Sequence, residues 1–413
     1  MASMRENTLA IVQAGGQGSR MGVLTKERAK PALPFGGSYQ LVDFPLTNLH
    51  HSGIEQVWLC LQYQADSLHD LVANGRPWDL DRTRGGLRLV FPRQTGDTGG
   101  DLDEGFATGN ADQLYRIRED ISGSDADVVL VMSADHIYRL DYQEVLRTHR
   151  ESGAECTVVT TVVSSDAEAS AHATVTTTKT GKVKAFAYKP SKPSTRTIAT
   201  EVFAYDRKAL VRALEELGSR LSDDSDHDDS GLGDFGDHLI PWFVGRGKTF
   251  AHAQPGYWLD VGRPETYLEA HRDLLGGKAA VFDSDWPILT QQPQREAARI
   301  HRGALIEDSL LSPGAVISGT VRRSVIGPGV VVERDAVVSD SILFADSVVR
   351  AKADVAWSIL DERVTVGRGA KIGGRPRKRP VPSESITMLG TGARVRAGGR
   401  VELGNQLEPR ARR

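Results

Sequence analysis

The chain has 413 residues, a net charge of −3, 39% hydrophobic and 25% charged residues. That is long for one core and makes two domains the expectation, while near-neutrality gives no electrostatic reason to expect nucleic acid as a partner. Only two cysteines, Cys60 and Cys156, are present. Both lie in apolar runs, which excludes a disulfide framework and predicts buried thiols in a reducing compartment. No apolar run reaches the roughly 18 residues of a membrane helix, and the stretch near the N-terminus is too short for a signal peptide. A soluble cytoplasmic protein with no membrane partner is expected.

In chain order, strand candidates fall at Leu9–Gln13, Gln56–Leu61, Leu87–Phe91, Val128–Ser133 and Cys156–Val163. Helical patterns run between them at Ala65–Val72, Ala111–Ile121 and Tyr142–Ser152. This alternation over residues 1–275 predicts an α/β, Rossmann-like domain with a mostly parallel sheet, whose ligands gather at the carboxyl ends of the strands. Residues 222–233, SDDSDHDDSGLG, read as a solvated acidic loop rather than a metal site at His227 and its aspartates. A Pro/Gln-containing linker spans 276–298.

Residues 299–413 carry a second rhythm. Ile326, Val332, Val338 and Phe344 recur every sixth residue, with Val330, Ala336, Ile342 and Val348 in a second phase. After a slip near Arg350 the pattern resumes at Leu360, Val366 and Ile372. Such a repeat predicts a parallel β-helix with aliphatic side chains stacked inward, followed by a basic tail in which Arg375–Arg379 reads as an exposed turn or an anion contact.

The chemistry-bearing residues cluster after predicted strands. Gly15, Gly16 and Gly18 follow the first strand and let backbone amides point at phosphate oxygens. Arg20 and Lys30 come next, with Arg28 between them, and supply the cations that displacement at phosphorus demands; Lys26 reads as a surface cation. Asp135 closes the Val128–Ser133 strand segment and Asp260 precedes Gly262; two hard carboxylates suit Mg²⁺ completed by substrate phosphates. His136 reads as structural, because an ionised phosphate attacking in line needs no general base.

Taken together, AGGQGSRM, LTKERAKPALPFGG, VDFPLTNLHHSGI, LQYQADSL, GNADQLY, SADHIYRLDY, DFGDHLIP and YWLDVGRPETYLEAH resemble the motifs of sugar-1-phosphate nucleotidyltransferases, most closely the ADP-glucose pyrophosphorylase group. Those motifs occur in that family's order, and the hexapeptide repeats match its C-terminal left-handed β-helix. The resemblance implies that Gly15, Gly16 and Gly18 hold a triphosphate neutralised by Arg20 and Lys30. It further implies that Gln94 and Gly109 meet the base, that Asp135 and Asp260 bind Mg²⁺, and that Lys189 grips the sugar phosphate. A homodimer or homotetramer assembled through the β-helix is implied as well.

The sequence departs from that family around the expected sugar. Glucose-using members carry Val-Glu-Lys-Pro, where this chain has Tyr188 before Lys189. His172-Ala173-Thr174 and Ala199-Thr200-Glu201 replace two further stretches, and Gln13 stands for a leucine beside the base pocket. A lost acceptor for a buried hydroxyl discriminates by ~10⁴-fold or more, though Glu201 offers a replacement. The pattern favours relatives that activate valienol 1-phosphate with GTP; glucose 1-phosphate with ATP is the alternative. A non-catalytic nucleotide-sugar sensor is a third reading, and an acyltransferase is disfavoured by the lack of histidine after His301.

Overall fold

The computed structural model describes residues 7–16, 18–92, 106–221, 230–279, 281–376 and 381–413. Its strands, in order, are β1 Thr8–Ala14, β2 Pro34–Phe35, β3 Tyr39–Gln40, β4 Gln56–Leu61, β5 Gly86–Val90, β6 Val128–Ser133 and β7 His136–Tyr138. They continue with β8 Cys156–Val162, β9 Thr174–Thr177, β10 Val183–Ala187, β11 Thr197–Asp206, β12 Thr249–Ala253 and β13 Trp258–Asp260. Nine of them form one sheet of order β10-β9-β11-β6-β1-β4-β5, with β8 joining β11 to β12. β1 pairs in parallel with β4 and β6, whereas β11 runs antiparallel to β6, β8 and β9.

Both faces of this sheet are covered, and the side chains show why. Along β1, Ala10 and Val12 pack on one face with Leu59 and Leu130, while Leu9 and Ile11 pack on the other with Trp58 and Val131. A strand apolar on both faces is stable only between two layers of helices, so the central strands read as unbroken hydrophobic runs. Cys60 and Cys156 are buried there as expected, and burial pushes the Cys60 thiol up to about 12.

Two expectations need correction. Ala111–Ile121 is not one helix but two, Asn110–Arg116 and Arg118–Gly123, broken at Ile117 where φ is −105° and ψ 10°. In the acidic stretch, residues 222–229 lie outside the described residues, but the part that follows is not a solvated loop. Leu232 is fully buried and Ser230 donates to the buried Asp112 carboxylate at 2.5 Å.

After helix Pro264–Leu275 the next paired strand is Arg299–Ile300, and from there three parallel six-stranded sheets form a left-handed β-helix. Ile317, Val332, Val349, Val366 and Val395 stack on one face; Val321, Val338, Val355, Ile372 and Val401 stack on the second. The third carries Ile326, Leu343, Leu360, Leu389 and Leu407. The sixfold period therefore breaks at Asp340 and again at Trp357, not near Arg350: the inward stack steps one residue short from Val338 to Leu343 and from Val355 to Leu360, across left-handed residues with φ 48° and 50°. Leu343 thus points inward, and Phe344 turns out to join Tyr267, Phe44 and Met21 of the first domain in an apolar cluster. The basic, Gly-rich stretch beyond residue 383 adds strands to all three faces.

Charged contacts flank that apolar joint. Lys26 pairs with Glu408 at 2.6 Å, and Arg28 reaches the buried Asp361 at 2.9 Å. Arg28 is thus spent on the joint rather than on phosphate. Removing one member of a buried pair strands the other's charge, so Arg28→Ala is expected to lower unfolding free energy by about 3 kcal/mol, read from urea denaturation at neutral pH.

Candidate functional site

β1 ends at Ala14 and the chain turns through Gly15 and Gly16 to Gly18, which has a left-handed φ of 63°. Gly15, Gly16, Arg20 and Lys30 line one side of a cavity of about 410 Å³ above the carboxyl ends of β1 and β6, a volume in the range of small-molecule sites. Gly18 is off that wall and serves the turn, where its carbonyl accepts from the Thr25 hydroxyl at 2.9 Å. Arg20 forms no ion pair among the described residues, and its guanidinium stays available to an anion.

Gln13 lies on the same wall with its amide anchored to the Asn110 carbonyl at 2.8 Å. Gly109 precedes helix Asn110–Arg116, and a Cβ there would come within 2.2 Å of the Gly233 backbone, so only glycine lets segment 233–234 pass behind the cavity. Gln94 lies outside the described residues. Three polar groups that sequence reasoning missed complete this side. The Gln62 amide, turned to suit its neighbours, donates to the Gly15 carbonyl at 2.7 Å. Gln113 stands beside it, and Asp234 closes the far end. Their motifs were visible, yet nothing in them marked which polar residue faces inward.

The carboxylates are brought together by a short antiparallel pair. β7 and β13 align His136 with Asp260 and Tyr138 with Trp258, which joins two chain segments remote in sequence. Lys30 Nζ lies 2.6 Å from Asp135 Oδ2 and 3.4 Å from Asp260 Oδ1. One ammonium therefore touches both acids, and the pair is close enough to share a single cation. The Ser133 hydroxyl also donates to Asp135. Burial alone would raise the Asp135 carboxyl, but Lys30 and His136 outweigh it and hold the group well below the usual range. Asp260 is lowered by Lys30 and His136 against burial and against Asp135. Burial opposes the Lys30 ammonium, yet the two carboxylates raise its value overall. No cluster of three or more metal-binding side chains occurs among the described residues. Two hard carboxylates fit Mg²⁺, which takes its remaining ligands from phosphate and water.

His136 is buried with Nδ1 3.2 Å from the Thr200 carbonyl, and its ring packs edge-on against Trp258. Its Nε2 lies 3.5 Å from Asp135 and 3.8 Å from Asp260. Opposite the glycine turn stand Tyr188, Lys189 and Glu201. Glu201 sits in a bulge of β11, where pairing with β8 shifts register between Ala199 and Phe203 and φ is 57°. Bulges re-aim side chains beside sites. This one puts a carboxylate in the cavity. The structure thus gathers every nominated residue it describes, with Gly18 and Asp260 just behind the wall.

The nucleotidyl transferase family model matches residues 9–277, and the GlmU-like C-terminal hexapeptide model matches residues 295–379. A glucose-1-phosphate adenylyltransferase of Clostridium perfringens (strain 13 / Type A) is 34% identical over 387 residues, covering 93% of this chain and 95% of that protein. Enzymes of the same name from Clostridium beijerinckii and Acetivibrio thermocellus are 36% and 32% identical, over 82% and 89% of this chain and 85% and 84% of theirs.

The lowered carboxyls add stability above their ordinary value of 3.8 that is lost as pH falls through the depressed folded values; the raised Lys30 adds stability below 10.5 that is lost above its folded value. Lys30→Met removes the partner of both acids. Its unfolding free energy is expected to fall less steeply than the wild type's on acidification below about pH 4, measured by urea denaturation across that range.

Proposed function

The chain belongs to the nucleotidyl transferase family, and we propose from that premise that it joins a nucleoside triphosphate to a sugar-like 1-phosphate in one Mg²⁺-dependent displacement. The observation that carries this reading is the Lys30 ammonium lying between Asp135 and Asp260 beside the glycine turn. An oxygen of the acceptor phosphate bonds to the α-phosphorus; the bond from that phosphorus to the α–β bridging oxygen breaks, and its electron pair leaves with pyrophosphate. The acceptor arrives ionised, so no proton is abstracted.

The protein positions reactants and screens charge. Arg20 and Lys30 offset charge on the triphosphate, and the backbone at Gly15 and Gly16 leaves room for its oxygens. Asp135 and Asp260 would hold Mg²⁺, which supplies charge neutralisation at the phosphates when bound. Gln13 and Gly109 border the space for the base, and Lys189 faces the acceptor phosphate. Stacked coils of the β-helix support assembly of a homodimer or homotetramer.

For the acceptor, the phenol at 188 carries the argument. Its hydroxyl is engaged by Asp234 and Lys189, each at 2.6 Å, and it offers a sugar no free carboxylate. Glu201 is the acceptor that remains on that wall. This supports a ring other than glucose, with valienol 1-phosphate and GTP as the first pair. The names of the relatives support a second pair, glucose 1-phosphate and ATP.

Pyrophosphate release by purified protein, measured with each NTP against both acceptors, is expected to be fastest with GTP and valienol 1-phosphate. Turnover of glucose 1-phosphate with ATP alone establishes the second pair instead. Silence across a broad panel of sugar phosphates replaces catalysis with a sensor role. With the active pair, Asp135→Asn and Asp260→Asn are each expected to lower kcat by about 100-fold or more, and chelation of Mg²⁺ to stop turnover.

A further inference from the structure

Lys189 is held in an unusual way. Its backbone is left-handed, with φ 44°, and its N–H donates to the His172 carbonyl at 3.2 Å. Its Nζ donates to the Tyr188 hydroxyl at 2.6 Å and stands 4.4 Å from the centre of that ring. The same hydroxyl donates to Asp234 Oδ2 at 2.6 Å. Burial, and then the Asp234 carboxylate, raise the Tyr188 phenol, which keeps its proton and remains a donor. Asp234 is itself fixed, since the Asn110 N–H donates to its Oδ1 at 3.4 Å and its own N–H donates to Asp237 at 2.8 Å. Tyr188 also depends on Gly236: a Cβ at that position would come within 2.1 Å of the ring.

These contacts form a relay from a fixed carboxylate through a phenol to a flexible ammonium. A lysine on a four-carbon stem has many rotamers to lose, and the relay confines it at the cavity wall. We propose that Tyr188, seated on Gly236 and braced by Asp234, is a positioning residue that presents Lys189 to the acceptor phosphate and thereby sets acceptor affinity. The proposal rests on the reading of Lys189 as the acceptor-phosphate cation. Tyr188 acts through Lys189, so its removal costs nothing further once Lys189 is gone.

The test is a double-mutant cycle with the full chain and whichever NTP and 1-phosphate the panel above identifies. Tyr188→Phe keeps the ring and deletes both hydrogen bonds. It is expected to raise the acceptor KM by roughly tenfold, the loss of the one of these bonds that holds Lys189, while kcat and the NTP KM change by less than about threefold. Lys189→Ala is expected to raise the acceptor KM further, and Tyr188→Phe in that background to add nothing. Gly236→Ala, which displaces the ring, is expected to reproduce the acceptor defect when Tyr188 is present and to be silent in Tyr188→Ala. Additive effects of Tyr188→Phe and Lys189→Ala overturn the proposal, as does a change confined to kcat or to the NTP. Absence of pyrophosphate release in the wild type overturns the transferase reading and this inference with it, whereas wild-type turnover with additive variants overturns this inference alone.

Discussion

One ammonium between two carboxylates organises the first domain's site. Lys30 belongs to a short turn after the glycine loop, Asp135 follows a central strand, and Asp260 ends β13. Three groups of alternating charge at that spacing tolerate burial that none would tolerate alone. The arrangement holds the Lys30 ammonium against both acids and keeps their carboxyls below the usual range. Displacing Lys30 leaves two like charges facing each other at the carboxyl edge of the sheet.

That contact in turn depends on strand pairing well away from the glycine loop. β7 and β13 contribute three residues each, and their register decides whether Asp260 meets Asp135 or points elsewhere. Buried Tyr138 and Trp258 are paired in the same ladder, so the register is secured by apolar packing on a sheet of only two strands. The opposite wall relies on a defect instead. β11 needs its bulge to turn Glu201 into the cavity, and the strand stays paired on both sides of it. Regular pairing positions the acids, and irregular pairing positions Glu201 on the opposite wall.

The two domains are joined by a mixed contact. Phe344, Ile359 and Met388 of the β-helix pack with Met21, Phe44 and Tyr267, while Arg28 and Asp361 make a buried pair beside them. Arg28 lies two residues before Lys30 in the same turn. A cation on the cavity wall and a cation of the joint thus share one short segment, and the β-helix steadies the turn that carries both.

The parallel core, its strands and the inward stacks of the β-helix were legible because apolar periodicity reports burial directly, as Gln56–Leu61 and Val128–Ser133 show. Gly15, Gly16, Arg20, Lys30 and Asp135, which line the cavity, were legible as residues to gather there because phosphate chemistry restricts residue type and places it after strands; Lys189 came from the resemblance. Periodicity did not reveal the helix break at Ile117 or the five-residue steps across Asp340 and Trp357, since in a repeat with apolar residues in two phases the sequence does not mark which phase continues inward. It also did not separate Arg28 from Lys30. Both are cations in one motif, and only the partner across the fold, Asp361 or Asp135, decides which serves the joint and which the site. The linear chain thus determined which chemical groups were available and on which elements they stand. The folded chain alone decided which of them meet, because the pairing of β7 with β13, the bulge at Glu201 and the seat of Tyr188 on Gly236 join residues too far apart in sequence for any local pattern to record.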